Sequence, residues 1–83
     1  MVNVNTRGTN PADGASEVTP SDGSDLTTAA RALYVGGSGD VKIDTPNGDT
    51  VTFQDVVAGS LLPVRANRVY ATGTTATNIV ALY

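Results

Sequence analysis

The sequence predicts an all-β protein, a small antiparallel sandwich or barrel of about six short strands that follows an extended N-terminal arm. Brief runs of β-branched and aromatic residues recur between residues 29 and 83, and Gly, Pro, Asn, Asp or Thr separates each run from the next. This region also holds 26 of the 33 apolar residues. The chain contains neither Cys nor His, so disulfides are excluded and a structural zinc site is not expected.

The first 28 residues differ from the rest, and we divide the chain into an arm (1–28) and a β body (29–83). The arm is rich in Pro, Gly, Ser, Thr and Asp and shows no apolar periodicity. It carries the whole net charge of −3, because the charges of residues 29–83 cancel. Two interpretations stay open, a flexible tail or an arm that orders against a neighbouring subunit. Its possible anchors are Val2, Val4, Val18 and Leu26.

The body opens with a predicted strand over residues 31–35. Period-two alternation places Leu33 and Val35 on one face and Ala32 and Tyr34 on the other. A short helix over residues 26–32 is the alternative. The glycine-rich run 36–39 predicts a hairpin turn, because glycine adopts positive φ without steric cost.

The next two strands are predicted over residues 40–45 and 49–56, joined by residues 46–48. A three-residue loop that ends in Gly48 fits a type I turn followed by a left-handed glycine. This loop pairs Ile43 with Val51 and places the large apolar residues on one face, whereas a two-residue turn would split them between faces. Hydrophobic matching therefore favours the three-residue loop.

Three further strands complete the predicted body, over residues 61–65, 67–71 and 78–83. Pro63 lacks an N–H group, so its strand is expected at a sheet edge or a bulge. The last strand is apolar on both faces, which predicts that a second sheet or a neighbouring subunit covers it on each side.

The sequence offers few residues that could catalyse a reaction or bind a cofactor. Without His or Cys there is no triad base or thiol nucleophile, and the body carboxylates fall at strand ends, turns and polar strand faces, so we expect no enzyme and no cofactor. Residues 21–25 are interpreted as a turn rather than a calcium loop. Residues 36–39 lack the Lys-Ser/Thr of a phosphate-binding loop. The acidic composition argues against nucleic acid, and no apolar run is long enough for a membrane span.

The small size of the body predicts self-association. Cores of this size usually need disulfides, a metal or partner subunits, and only partner subunits remain available. We predict contacts from the apolar last strand, the edge near Pro63, two arm anchors and the only close pair of arginines. Arg68 is expected to pair with a body Asp or across a subunit boundary. The predicted contact residues are Val18, Leu26, Leu62, Pro63, Arg65, Arg68, Ile79, Val80, Leu82 and Tyr83.

Several segments resemble a family of small virion proteins, the spike base proteins of tailed bacteriophages and of the related gene transfer agents. The most specific are LYVGGSGDV at 33–41 and TGTTATNIVALY at 72–83. Weaker similarity lies in NPADGA at 10–15, VTPSD at 18–22 and AGSLLPVR at 58–65. The resemblance covers nearly all of the chain after Asn10.

The resemblance implies a non-enzymatic protein on the head surface of a virion, made in the host cytoplasm. Its expected partners are further copies of itself, as a pentamer or a trimer, the major capsid protein, and a spike or fibre protein. Three alternatives remain open: a trimeric cement protein without a spike, a small tail or neck component, and, from another class, a glycan- or cell-surface-binding module.

Overall fold

The computed structural model describes residues 12–83, and these residues form two antiparallel β-sheets. The all-β prediction is confirmed, and the helix considered over residues 26–32 does not form. The strands, in chain order, are β1 (Ala15–Glu17), β2 (Ala32–Gly37), β3 (Gly39–Asp44), β4 (Thr50–Val56), β5 (Ser60–Leu62), β6 (Arg68–Val69) and β7 (Thr77–Leu82).

The four-stranded sheet has the order β1-β7-β2-β5, and the three-stranded sheet has the order β4-β3-β6. Their inward side chains form one core, because alternate residues of a strand point to the same face. Strands β2 and β3 each place two fully buried side chains in this core, Leu33 and Val35 from one sheet and Val41 and Ile43 from the other. The fold is therefore a sandwich rather than a closed barrel.

The β3–β4 hairpin has the register that hydrophobic matching predicts. Ile43 pairs with Val51, and Val41 pairs with Phe53. The Gly48 N–H donates to the Thr45 carbonyl at 3.0 Å, and Gly48 has a φ of 97°. The three-residue loop with a left-handed glycine is confirmed.

The prediction of a hairpin turn at residues 36–39 is wrong. These residues carry the chain from β2 in one sheet to β3 in the other. Gly39 has a φ of 152°, and a Cβ atom there would lie 2.6 Å from the backbone nitrogen of Ala76. Glycine is thus needed for close packing against the segment before β7, in addition to backbone freedom.

Part of the segment predicted as an arm joins the body of its own chain. Strand β1 pairs with β7 at the edge of the four-stranded sheet. Farther along, the Ser21 N–H donates to the Val69 carbonyl at 2.9 Å, and Leu26 donates to Asn67 at 2.8 Å. The suggested anchors Val2 and Val4 lie outside the described residues, and the division of the chain at residue 28 stays a prediction.

Strands β5 and β6 are close to their predicted positions but shorter, and β7 has the predicted length with a shift of one residue. Strand β5 pairs only with β2, so the edge position predicted for the Pro63 segment is confirmed. Strand β7 pairs with β1 on one edge and with β2 on the other. Its inner face, with Ile79 and Ala81, is buried in the core, whereas Val80 and Leu82 on its outer face are only partly buried. The prediction that a neighbouring subunit covers this outer face stays a prediction.

Candidate assembly surface

The outer face of the four-stranded sheet is apolar. Neighbouring strands bring Val80, Tyr34 and Leu61 into one row across β7, β2 and β5, and Glu17 ends the row on β1. Tyr34 is 42% exposed and Leu61 is 55% exposed. A large apolar row in solvent marks a contact site more often than a single exposed residue does.

A second row lies beside the first and extends the same surface. Ala15, Leu82 and Ala32 face one another in register across β1, β7 and β2. Among the outward residues of these paired positions, Glu17 is the only charged side chain. We call this surface the apolar face and define it by Ala15, Ala32, Tyr34, Leu61, Val80 and Leu82.

The outer face of the three-stranded sheet has the opposite character. Lys42 and Asp44 point outward from β3, and Arg68 and Tyr70 lie beside them on and after β6. The Lys42 amine lies 4.7 Å from the centre of the Tyr70 ring, and the Arg68 guanidinium lies 5.7 Å from it, both within the range of cation–π attraction. These residues, with Thr50 and Thr52 of β4, form the polar face.

Hydrogen bonds within the chain engage the carboxylate of Asp44 and the guanidinium of Arg68 on the polar face. Asp44 accepts hydrogen bonds from the hydroxyls of Thr50 at 2.5 Å and Tyr70 at 2.7 Å. These two bonds, of which the one from Thr50 has the larger effect, hold the pKa of Asp44 below its usual value, because they favour the ionised carboxylate. A surface whose polar groups already have partners is suited to solvent.

Arg68 is bound within its own chain, and its partner lies in the segment before the body. Its Nε donates to Asp25 at 2.8 Å, and its Nη1 donates to the Asp22 carbonyl at 3.0 Å. The hydrogen bond to Asp25 raises the pKa of Arg68 above its usual value. The side chain therefore fastens residues 22–25 to β6.

Strand β4 forms an edge of the three-stranded sheet. It has seven residues, and among the strands of residues 12–83 only β3 pairs with it. Val51 points toward the core side yet is 40% exposed, and Phe53 beside it is only partly buried. The core is thus incompletely covered along this edge.

The predicted contact residues separate into outward and inward groups. Val80 and Leu82 lie on the apolar face, and Pro63 and Arg65 are exposed after β5. The inward group points to or packs against the chain's own core, and Ile79, 3% exposed, is its most buried member. This group also contains Val18, Leu26 and Leu62.

The C-terminal residue of the sequence, Tyr83, contacts the segment before β1. Its amide donates to the Gly14 carbonyl at 2.8 Å, and its ring lies so close to Gly14 that a Cβ atom there would be 2.5 Å from it. Tyr83 therefore fixes the start of β1 and is not part of the apolar face.

The most exposed residues of the apolar face, Tyr34 and Leu61, were not among the predicted contacts. Period-two alternation does place Tyr34 outward once Leu33 and Val35 are assigned to the core. Its partner Leu61 follows only from the pairing of β2 with β5, which brings together residues 27 positions apart. A scan for outward apolar residues on both strands would have identified the pair.

The carboxylates offer little for metal or catalytic chemistry. Within residues 12–83 no three of the Asp or Glu side chains form a cluster that could hold a metal ion. Asp22 and Asp25, in the segment considered for calcium, are engaged with the loop after β6 and with Arg68. No helix in the described part of the chain could cross a bilayer.

No protein-family model matches the chain, and no curated protein matches it. A solved structure does: a chain from the capsid of a native gene transfer agent (GTA) particle, computed with C5 symmetry, is 46% identical and superposes with a TM-score of 0.83. The alignment covers 92% of the chain described here and 88% of the other.

Proposed function

The chain belongs to the same protein family as this component of a gene transfer agent capsid, and from that premise we propose that it is a non-enzymatic structural protein of a phage-like particle. It binds the outer surface of the capsid and self-associates there as the base of a spike or fibre, or as a head decoration. This role requires surfaces that bind the capsid, further copies and a spike or fibre, rather than a reactive site.

The contrast between the two outer faces is the observation that supports this role. Tyr34 and Leu61 leave an apolar surface on one side, while the groups of the polar face are joined by hydrogen bonds and cation–π contacts on the other. Burial of apolar surface stabilises association by about 25 cal/mol per Å². The apolar face therefore docks on the capsid shell, and the polar face is directed to solvent.

Five copies around a vertex are the arrangement that we favour. The related capsid was computed with C5 symmetry, and phage-like shells offer five-fold positions at their vertices. A ring of five also gives a spike or fibre a single axial attachment point.

Binding to particles that lack this protein tests the proposal. Purified wild-type protein, Tyr34→Asp and Leu61→Asp are each mixed with such particles and sedimented. We expect the wild type to co-sediment and both variants to stay in the supernatant, because a charge on the apolar face would be buried without a partner. Ser24→Asp adds the same charge in an exposed loop and should bind like the wild type.

Equal binding of all four proteins would contradict the proposed use of the apolar face. The arrangement of bound copies then separates two roles. Rings of five at vertices support a spike base, whereas trimers spread across the shell would assign the protein to the cement class instead.

A further inference from the structure

We propose that the β4 edge pairs with the β4 edge of a second copy about a two-fold axis at Thr52, which joins the two three-stranded sheets into one continuous sheet. The occupant of this edge is therefore another molecule of the same chain. A two-fold contact differs from the repeated contact of a five-fold ring, so this inference goes beyond the proposed function and does not depend on it. Each copy has one β4 edge, so the association ends at two copies.

The backbone of β4 has hydrogen-bonding groups that point away from its own sheet. On β3, the carbonyls of Lys42 and Asp44 accept hydrogen bonds from the residues on either side of β6, so these two residues turn their backbone groups toward β6. Thr52 and Thr50 lie opposite them in the register. In an antiparallel ladder, such a pair exchanges no hydrogen bonds, so the N–H and C=O groups of both threonines point outward.

The β4 edge is also the least protected edge in residues 12–83. Natural sheets protect edges by short strands, Lys, Pro or inward charges. The other edge strands, β1, β5 and β6, have only three, three and two residues, and Pro63 follows β5. The seven residues of β4 contain neither Lys nor Pro, and their one charge, Asp55, lies near the end.

An added strand would also cover the exposed part of the core. Val51 and Phe53 point to the core side of β4 but are incompletely buried. Thr50 and Thr52 alternate with them on the solvent side. A partner strand that covers this edge therefore needs two apolar residues, two positions apart, with a polar residue between them. Strand β4 itself has this pattern.

Two copies of β4 fit one antiparallel register in particular. With Thr52 opposite Thr52 of the second copy, the outward groups of the two threonines exchange both hydrogen bonds. Val51 of each copy then lies opposite Phe53 of the other, on the core side of both sheets. These apolar residues occupy positions without mutual hydrogen bonds, where opposite side chains are closest, and pairs of an aromatic and a β-branched residue stabilise a ladder.

The next register that keeps the core faces together fits less well. It places Val51 opposite Val51 of the second copy, and Phe53 then lies opposite Asp49. An aromatic ring beside a carboxylate leaves apolar surface uncovered. Hydrophobic matching, which also sets the register of β3 with β4, therefore favours the axis at Thr52.

Two features make the contact weak and reversible. Between Phe53 and Val56, β4 has one more residue than β3 opposite it, and Asp55 there has a φ of 55°. Such a bulge interrupts regular pairing, so the paired stretch is short. Asp49 of each copy comes opposite Asp55 of the other beyond its two ends. We therefore expect a reversible pair that high salt strengthens, because salt screens these exposed carboxylates.

Opposite charges placed at the axis test the pairing. Thr52→Lys and Thr52→Glu each bring two like charges together, and we expect each variant alone to associate at least about tenfold more weakly than the wild type. An equal mixture of the two should associate again, because Lys then lies opposite Glu. Sedimentation velocity over a range of protein concentrations measures the association. Ser24→Lys, in an exposed loop, is the control and should behave like the wild type.

A monomeric wild type at every concentration would overturn the proposal. So would association of Thr52→Lys that equals the wild type, or a mixture of the two charged variants that associates no better than either alone. Thr52 lies on the solvent side of its strand, so these substitutions should leave the single chain folded, and thermal melts of each variant verify that.

Disulfide trapping tests the register independently. The chain has no Cys, so full-length Thr52→Cys and Val51→Cys each carry a single thiol. With the axis at Thr52, the two Thr52→Cys thiols are opposite each other, whereas the two Val51→Cys thiols are diagonal and too far apart to bond well. We expect at least about tenfold more reducible dimer from Thr52→Cys than from Val51→Cys or Ser24→Cys. Equal yields, or more product from Val51→Cys, would overturn this register.

This proposal and the proposed function fail in different measurements. If the Thr52 variants leave association unchanged but the protein binds particles, the β4 pair is wrong and the capsid role stands. If the charged variants restore each other's association but the wild type does not bind particles, the β4 pair stands and the proposed function is wrong.

Discussion

The carboxylate of Asp22 accepts a hydrogen bond from the hydroxyl of Thr72 at 2.6 Å, across 50 residues of sequence. Its other oxygen accepts the backbone N–H groups of Ala71 and Thr72 at 3.0 and 2.9 Å. One side chain thus satisfies three donors of the loop after β6 and fastens the segment before β2 to it. This contact explains why part of the acidic N-terminal segment packs against its own body.

Asp22→Asn is expected to lower the melting temperature at neutral pH. The hydrogen bonds from Thr72 hold the pKa of Asp22 below its usual value of 3.8, so the folded state favours the ionised form. This contribution is present above the unfolded pKa and is lost as pH falls from about 3.8 through the folded value. Thermal melts between pH 2 and 7 should show the wild type and the variant converging at the acidic end. Asp13→Asn is the control, because the N–H of Asp13 bonds to the Tyr83 carbonyl; a constant difference at every pH would contradict the prediction.

Gly48→Val is expected to destabilise the fold by about 1–3 kcal/mol. Gly48 has a φ of 97° and no atom near its missing Cβ, so backbone strain is the whole cost. Asn should be tolerated better there, because it adopts positive φ more readily than Val. Gly23→Val is the control, since Gly23 also has open space and lacks a positive φ. Equal denaturation midpoints for both valine variants would show that the loop does not need glycine.

Truncation to alanine should affect different properties at two leucines of the four-stranded sheet. Leu33 is fully buried, and Leu33→Ala should cost about 2–5 kcal/mol of unfolding free energy. Leu61 is 55% exposed, so Leu61→Ala should change stability by less than about 0.5 kcal/mol but weaken capsid binding. Urea denaturation and co-sedimentation measure the two effects. Normal capsid binding by Leu61→Ala would count against the apolar face.

Charge reversal at Arg68 should destabilise the single chain. Arg68→Glu places a carboxylate 43 residues along the chain from Asp25 but adjacent to it in space, so thermal stability should fall. Asp25→Arg in the same protein restores an opposite pair and should recover part of the loss. Both effects should shrink at high salt, because the pair is exposed to solvent. Failure of the double variant to recover any stability would show that the pair is not what the single change disrupts.

The local features of the fold were predictable from sequence, whereas contacts between distant segments were not. The register of Ile43 with Val51 follows from matching two adjacent apolar patterns through a short loop. Strand β1 gave no such signal, because the side chains of Ala15, Ser16 and Glu17 are all exposed and the strand is held by its backbone pairing with β7.

The candidate surface shows the same limit. Alternation predicted that Tyr34 faces away from Leu33, but its neighbour Leu61 is set by the β2–β5 pairing. The glycines of residues 36–39 were interpreted by their freedom in a turn, while the structure uses Gly39 for close packing against Ala76. A sequence pattern shows the conformation that a residue itself prefers. Which distant residue it contacts is decided only when the whole chain folds.

The most direct test of the central claim is a cryo-electron microscopy map of particles to which the wild-type protein has been added. The account predicts rings of five at the vertices, with Tyr34 and Leu61 buried against the capsid shell and the polar face in solvent. Single, separated copies whose apolar face remains exposed would contradict it.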